Sequence, residues 1–251
     1  LRTRAADRPL SWTYANRADL PRAVALAAGE PVAMGQLRSA AALALLSPDL
    51  KPLDPAVRGF TASVAATDPA SGCVAAGEYL FWRAGKVRIV DPTTGEVRRE
   101  LTAPAVLVDA RPDGVRALAF SPDGTRLFVG LRSSTVYRFD LDRPGSGPAK
   151  TWRASARGVE QLAVSPNGKH LYGQCPPERP VFVWSTDTGE PVAKLGPAGE
   201  PGVRSFAVLP DGDVVASDDL RVRRWTAEHR LAREAPNPGA WRLAAAPGAL
   251  L

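Results

Sequence analysis

A motif that recurs at a fixed step of 44 residues constrains the fold of this chain more than any other feature. It reads VRALAFSPDG from Val115, VEQLAVSPNG from Val159 and VRSFAVLPDG from Val203. In each copy a short apolar run leads into a Pro-Asp-Gly or Pro-Asn-Gly turn, in which proline presets φ and glycine accepts a positive φ. One such turn arises easily by chance, but a matched series in register predicts a repeat protein.

Each copy continues with the same order of segments. A second β-rich run follows the turn, a third run ends in an aromatic residue, and a further turn precedes a more polar fourth run. Four short strands per repeat, with no helical stretch between them, predict one four-stranded antiparallel sheet, and such sheets bury their faces by stacking around an axis. The predicted fold class is therefore all-β: a β-propeller of about four blades plus a partial fifth, in an incomplete ring. The predicted blades cover about 61–102, 115–153, 158–196, 202–235 and, in part, 240–251.

These segments resemble the WD40 repeat family over roughly three quarters of the chain. The V-x-x-L-A-F-S-P-D-G pattern matches the first strand and its turn, and Phe139-Asp140 is one match to the Trp-Asp end of the third strand. The resemblance implies that Trp184 and Trp225, at the same repeat position, pack between blades. No unit has the family's Gly-His dipeptide, and only Asp219 matches its tight-turn aspartate, so we expect most of that hydrogen-bonded network to be absent. Part of the third repeat also resembles lactonase-like bacterial propellers.

Residues 1–60 differ from the repeats in composition. Ala-rich stretches at 20–28 and 31–46 have helical spacing, so we predict a short helical connector over 1–60, followed by the propeller over 61–251. The connector resembles the segment that precedes WD40 repeats in some large bacterial proteins, including fusions with a Ser/Thr kinase domain. Because the sequence begins at Leu1, we expect a fragment of a longer product, in which any kinase domain lies upstream.

Composition narrows the classes of function. The net charge of +6 comes mostly from arginine and includes no run of five like charges, so we expect no nucleic-acid partner. Cys73 and Cys175 lie far apart in the sequence without metal-ligand neighbours, and we expect both to be buried small apolar residues. The longest apolar run, 40–46, is too short to span a bilayer. We therefore expect a cytoplasmic protein with no membrane span in this chain.

Residues that carry chemistry are few. The chain has two histidines, His170 and His229, and neither has a Cys, Ser or carboxylate neighbour at the spacing of a triad or a metal site. We interpret both as surface or strand residues. Asp211 and Asp213 belong to the repeated turn, and the alternating oxygens of a calcium loop do not follow them. The sequence therefore predicts no catalytic residue, no cofactor and no metal site.

The resemblance also implies a partner-binding face. In WD40 rings, partners often contact the residue after the first valine of the first strand and the loop that leads into the third strand. Arginine dominates the matching positions, which favours acidic or phosphorylated protein segments, because the guanidinium fork pairs bidentately with carboxylate or phosphate. The candidate partner-binding residues are Arg83, Arg116, Arg132, Glu160, Arg204 and Asp218.

Three hypotheses about function remain open at this point. The leading one is a non-catalytic protein–protein interaction scaffold of WD40 type within a larger bacterial protein. The second is an enzymatic propeller, such as a lactonase-like hydrolase, whose site at the channel mouth would need several convergent His, Asp or Glu residues. The third makes this chain the targeting region of a Ser/Thr protein kinase.

Overall fold

The computed structural model describes residues 62–78, 85–104, 107–108, 111–112, 114–145, 147–154, 158–175, 180–196 and 202–237. The predicted connector over 1–60, the partial blade over 240–251 and the candidate residue Arg83 lie outside these residues. Within the described ranges, every regular element is a β-strand.

Sixteen of the described strands form four antiparallel sheets, each with its strands in chain order, and this confirms the predicted fold class. Sheet 1 contains β1 (Ala62–Thr67), β2 (Val74–Glu78), β3 (Lys86–Val90) and β4 (Val97–Thr102). A two-stranded ribbon follows, made of β5 (Leu107–Val108) and β6 (Arg111–Pro112). Sheet 2 contains β7 (Val115–Phe120), β8 (Arg126–Leu131), β9 (Thr135–Asp140) and β10 (Lys150–Arg153). Sheet 3 contains β11 (Gln161–Val164), β12 (His170–Gln174), β13 (Val181–Ser185) and β14 (Pro191–Leu195), and sheet 4 contains β15 (Ser205–Val208), β16 (Val214–Ser217), β17 (Arg221–Trp225) and β18 (Leu231–Pro236).

The turn between the first and second strands has the same construction in sheets 2, 3 and 4. The Asp123 carboxylate accepts the Thr125 N–H at 3.1 Å, and the Asn167 side-chain oxygen accepts the Lys169 N–H at 3.0 Å. The same contact recurs in sheet 4. The glycine of each turn has a positive φ, which is +69° at Gly124. The repeated Pro-Asp/Asn-Gly signal is therefore a side-chain-capped hairpin turn that needs glycine in the left-handed region.

Three apolar cores lie between consecutive sheets. Trp184 and Trp225 are only 3% and 5% exposed in the second and third cores, which confirms that they pack between blades. Cys73 and Cys175 are both buried, as expected. The first strand β7 packs against both β1 and β11, and β11 approaches β15, so the first strands are neighbours, as the inner strands of propeller blades are. The three cores include, in order, Leu101, Leu131 and Phe139; Phe128, Val159 and Leu171; and Tyr172, Val203 and Phe206.

Sheets 1, 2 and 3 are joined by contacts in which a glycine receives a valine of the next sheet. A Cβ atom on Gly77 would lie 2.6 Å from Val115 Cγ1, and one on Gly130 would lie 2.8 Å from Val159 Cγ1. Neither position has room for a side chain, because close-packed interiors do not tolerate carbon atoms at such separations. Both valines open the repeated motif, so the contact explains why each repeat begins with this residue.

Sheet 3 meets sheet 4 through hydrogen bonds. Gln174 occupies the repeat position that Gly130 has in sheet 2; it is 2% exposed and donates from Nε2 to the Val203 carbonyl. Gln161 pairs with Gln174 in the register, donates to the Phe206 carbonyl at 2.7 Å and accepts the Phe206 N–H at 3.4 Å. Two side-chain amides therefore replace the glycine–valine contact at this joint.

Candidate partner-binding face

The first strand of sheet 2 begins with a β-bulge at Arg116. Val115 and Ala117 pair with consecutive residues of β8, which leaves Arg116 as the extra residue on β7. The first strand of sheet 1 has the same irregularity at Ser63. A bulge re-aims the side chain of its extra residue, and both Arg116 and Ser63 are exposed.

The same repeat position in sheets 3 and 4 holds Glu160 and Arg204, which are also exposed. The Glu160 N–H donates to the Gln174 carbonyl at 2.9 Å, and the Arg204 N–H donates to the Ser217 carbonyl at 2.7 Å. Gln174 pairs with Gln161 and Ser217 pairs with Ser205, so each acceptor is the partner of the next residue in the first strand. The backbone therefore follows the same path here as at Arg116. We call the end of the sheets that carries Arg116, Glu160 and Arg204 the bulge face.

The turn between β8 and β9 adds Arg132 to the bulge face. The Arg132 N–H donates to the Gly114 carbonyl at 3.1 Å, which fixes this turn beside the start of β7. Ser134 in the same turn is fully buried, has a φ of +72° and accepts the Gly158 N–H through Oγ at 2.5 Å. The turn is therefore held from two sides, and the half-buried Arg132 side chain is presented by a well-anchored backbone.

Arg204 forms a bidentate ion pair within the bulge face. Its Nε and Nη2 atoms each lie 2.8 Å from a carboxylate oxygen of Asp219. This hydrogen-bonded carboxylate raises the pKa of Arg204 above its usual value. The charge of Arg204 is thus largely compensated at close range by an exposed partner.

Asp218, a predicted partner-binding residue, lies inside sheet 4 and is 2% exposed. Its Oδ1 accepts the N–H groups of Leu220 and Arg221, both at 2.7 Å, and its Oδ2 accepts from Arg223 Nη1 at 2.5 Å. Burial acts to raise the pKa of Asp218, but these three donors outweigh burial and hold the pKa below its usual value. The side chain therefore shapes the turn and is not presented on the surface.

Of the two adjacent aspartates in this turn, Asp218 makes the hydrogen bonds that cap the turn, and Asp219, the residue matched from the sequence, does not. Asp218 directly follows β16 and its side chain folds back under the turn, whereas Asp219 lies at the exposed tip beside Arg204. Arg223, which is 4% exposed, also donates from Nε to Glu234 at 2.6 Å. Two carboxylates thus neutralise one buried guanidinium, an arrangement that burial of this charge requires.

The structure brings together three aromatic polar side chains that sequence analysis did not connect. His170 and Tyr172 belong to β12, and His229 lies in the turn between β17 and β18. The two imidazole rings have centroids 5.1 Å apart, and the Tyr172 hydroxyl lies 3.2 Å from His229 Nε2. No local motif could reveal this cluster, because it forms only when sheets 3 and 4 stack.

The described residues contain no group of three or more His, Cys, Asp or Glu side chains arranged to hold a metal ion. They also contain no helix that is long and apolar enough to cross a membrane.

Comparisons with known proteins address the fold and its family. The β-propeller domain of Cps50 (Swd1) from Myceliophteria thermophila is similar to this chain, with a TM-score of 0.60 and 14% identity over 74% of this chain and 59% of that one. The family model described as "WD domain, G-beta repeat" matches residues 106–140, which include β7, β8 and β9. The chain folds as a β-propeller, and one of its repeats matches the WD40 family model.

A second solved structure, the hydrazine synthase of Kuenenia stuttgartiensis, is similar to this propeller with a TM-score of 0.57 and 20% identity. That match covers 74% of this chain and 53% of the other. The chain therefore spans between half and two thirds of the length of these two structures. No curated protein sequence matches the chain.

Proposed function

We propose that this WD40-type propeller is a non-catalytic scaffold that binds other proteins through the bulge face. The observation that carries the proposal is one repeat position, which lies at a β-bulge in sheets 1 and 2 and just before the first strand in sheets 3 and 4. It presents an exposed side chain at the same end of each sheet. A rigid array of that kind suits recognition by loops and strand ends on a stacked-sheet scaffold. We also propose a cytoplasmic location, which the low cysteine content of the sequence favours, with two cysteines in 251 residues.

The partner in this proposal is an acidic or phosphorylated protein segment that contacts sheet 2. Arg116 lies at the bulge of β7 and Arg132 lies in the turn that follows β8, and both guanidinium groups can pair bidentately with carboxylate or phosphate. We assign the anionic contact of the partner to sheet 2, because this sheet places two arginines on the bulge face. Sheet 3 contributes the opposite charge of Glu160, and sheet 4 contributes Arg204 beside the Asp219 carboxylate.

The test measures binding of a fluorescein-labelled polyglutamate peptide, and of a phosphoserine-containing version, by fluorescence anisotropy. The Arg116→Ala/Arg132→Ala variant should bind roughly tenfold or more weakly, because each charge-assisted hydrogen bond contributes about 1.5–3 kcal/mol. The control variant, Arg143→Ala/Arg230→Ala, removes the same charge from exposed residues in turns at the opposite end of the sheets, and it should bind like the unmodified chain.

Equal weakening in both variants would mean that net charge alone drives peptide binding, and unchanged affinity in both would remove the anionic contact from the bulge face. Captured cellular partners would then be compared across the same three proteins. A partner that is lost only with Arg116 and Arg132 supports the scaffold function. Hydrolysis of a lactone panel by the purified chain would contradict the non-catalytic part of the proposal and restore the enzymatic alternative.

A further inference from the structure

We propose that His170 and His229 form a proton-sensitive contact that holds sheet 4 against sheet 3 while both rings are neutral and loosens when they become charged. The contact lies at the joint between these two sheets and is independent of the proposed partner binding.

The geometry places this histidine pair across the joint. His170 opens β12 of sheet 3, and His229 lies in the turn before β18 of sheet 4, where it has a φ of +67°. Their rings meet edge to face at an interplanar angle of 65°. Beneath them, Tyr172 is 1% exposed and belongs to the apolar core between the two sheets. The pair therefore closes one end of that core.

The hydrogen bond at this joint depends on the protonation state of His229. Burial, followed by the nearby Asp213 carboxylate, raises the pKa of Tyr172 to about 12, so its hydroxyl keeps its proton. Neutral His229 can accept a hydrogen bond from that hydroxyl at Nε2, whereas an imidazolium carries hydrogen on both ring nitrogens and can only donate. Protonation would thus reverse the contact and place two cationic rings 5.1 Å apart.

The charged groups around the pair come from both sheets. Burial disfavours a positive charge on His170, and the positive charge of the preceding residue, Lys169, adds to this effect. Asp213 of sheet 4 faces Tyr172, but its carboxylate is held by Arg224 Nε at 2.6 Å. Glu228 is next to His229 in sequence, and its negative charge favours protonation of that ring. Arg230, in the same turn, places a positive charge near Glu228.

The balance of these effects favours neutral rings. Burial lowers the pKa of His170, and the positive charge of Lys169 lowers it further. Burial also lowers the pKa of His229, and the charge of His170 adds to this effect, while Glu228 opposes it. A base whose folded-state pKa is lowered gives stability that is present above its unfolded value of about 6.5 and is lost as the pH falls through the folded value. Because the rings interact, the two protons bind as a coupled pair.

The chain makes this proposal easy to isolate, because His170 and His229 are its only histidines. Between about pH 7.5 and about pH 5.5 the unperturbed titration of side chains is dominated by histidine. Amide hydrogen exchange, corrected for intrinsic rates, would be followed in β15–β17 of sheet 4 and in β8–β9 of sheet 2. Opening of sheet 4 should increase at the lower pH by up to roughly tenfold for each histidine whose pKa is lowered, because the lower pH is about one unit below the unfolded value, while sheet 2 should change little.

The matched variant is His170→Gln/His229→Asn, in which asparagine tolerates the positive φ of residue 229. Sheet 4 of this variant should lose its pH dependence. An equal pH response in variant and unmodified chain, or an equal response in sheets 2 and 4, would overturn the proposal. Ring titration by NMR gives a readout that does not require the variant to fold. Either histidine titrating at or above the usual value in the unmodified chain would also overturn it, whereas values below it for both would support it.

Discussion

The joint between sheets 2 and 3 and the joint between sheets 3 and 4 use the same repeat position in opposite ways. At the first joint, Gly130 leaves space that the Val159 side chain fills. At the second, Gln174 occupies that space itself and bonds to the carbonyl of Val203, the next motif valine. At this one position, shape complementarity joins sheets 2 and 3, and a hydrogen bond joins sheets 3 and 4.

This difference shows that the repeat determines the backbone path at each joint but not the chemistry of the contact between the sheets. The valine that opens the motif lies at the same place in each sheet, and one residue of the preceding sheet determines which contact forms there. Apolar and amide contacts do not titrate, whereas a contact between histidines responds to pH near neutrality. The joint between sheets 3 and 4, which contains the histidine pair, can therefore be tuned by pH without rebuilding a core.

Transferring the glutamine to sheet 2 should have the largest effect on stability. In the Gly130→Gln variant, even the Cβ atom would lie 2.8 Å from Val159 Cγ1 and 2.9 Å from its Cβ. Overpacking costs about 1–3 kcal/mol, and a buried amide without a partner adds a penalty of similar size, so we expect a loss of about 3 kcal/mol or more in the free energy of unfolding. Urea denaturation monitored by circular dichroism measures this loss.

Gly130→Ala serves as the graded control, because it adds the Cβ atom alone and should cost about 1 kcal/mol. If Gly130→Gln unfolded at the same urea concentration as the unmodified chain, sheets 2 and 3 could separate freely. The difference between the two joints would then make no contribution to the free energy of unfolding.

The reverse exchange, Gln174→Gly, should have an intermediate effect. It leaves the buried Val203 carbonyl without its donor and adds backbone freedom to β12, which together should cost about 2 kcal/mol. Gln174→Met keeps most of the side-chain volume and separates the loss of the hydrogen bond from the loss of packing. Urea denaturation of both variants provides the measurement. Stabilisation by Gln174→Gly would show instead that Val203 can close onto the glycine as Val159 does in sheet 2.

Much of the fold could be predicted from the sequence, because the repeat carries it. The turn signal at Asp123 and Asn167 and the aromatic position of Trp184 and Trp225 have local causes, namely capped turns and burial between sheets. The structure has both at the predicted places. A regular period makes such features visible without any knowledge of tertiary contacts.

The candidate site was less predictable, because its details depend on which way single side chains turn. Two adjacent aspartates, Asp218 and Asp219, are equivalent in composition, yet one is buried under its turn and the other pairs with Arg204 on the surface. The contact between His170 and His229 joins residues that are distant in sequence and on different sheets. Neither feature has a local signature, since each is set by the spacing of stacked sheets.

The smallest of these effects on stability should come from Gln161, the second amide of the joint between sheets 3 and 4. Gln161→Ala removes one donor and one acceptor from Phe206, but the side chain is only half-buried and water can replace part of the contact. Because a typical hydrogen bond contributes about 1 kcal/mol net, the free energy of unfolding should fall by roughly that amount. The Phe206 amide should exchange roughly fivefold faster, which hydrogen-exchange NMR can measure.

Gln161→Glu separates the two bonds at Phe206, because a carboxylate still accepts the N–H but cannot donate to the carbonyl. Slow exchange of the Phe206 amide should therefore be retained in Gln161→Glu and lost in Gln161→Ala. If both variants exchanged like the unmodified chain, Gln161 would be incidental to the joint, and Gln174 together with the histidine pair would account for its polar character. If both exchanged faster, the donor to the Phe206 carbonyl would be the dominant bond, and the two amides would act as one bridge between the inner strands.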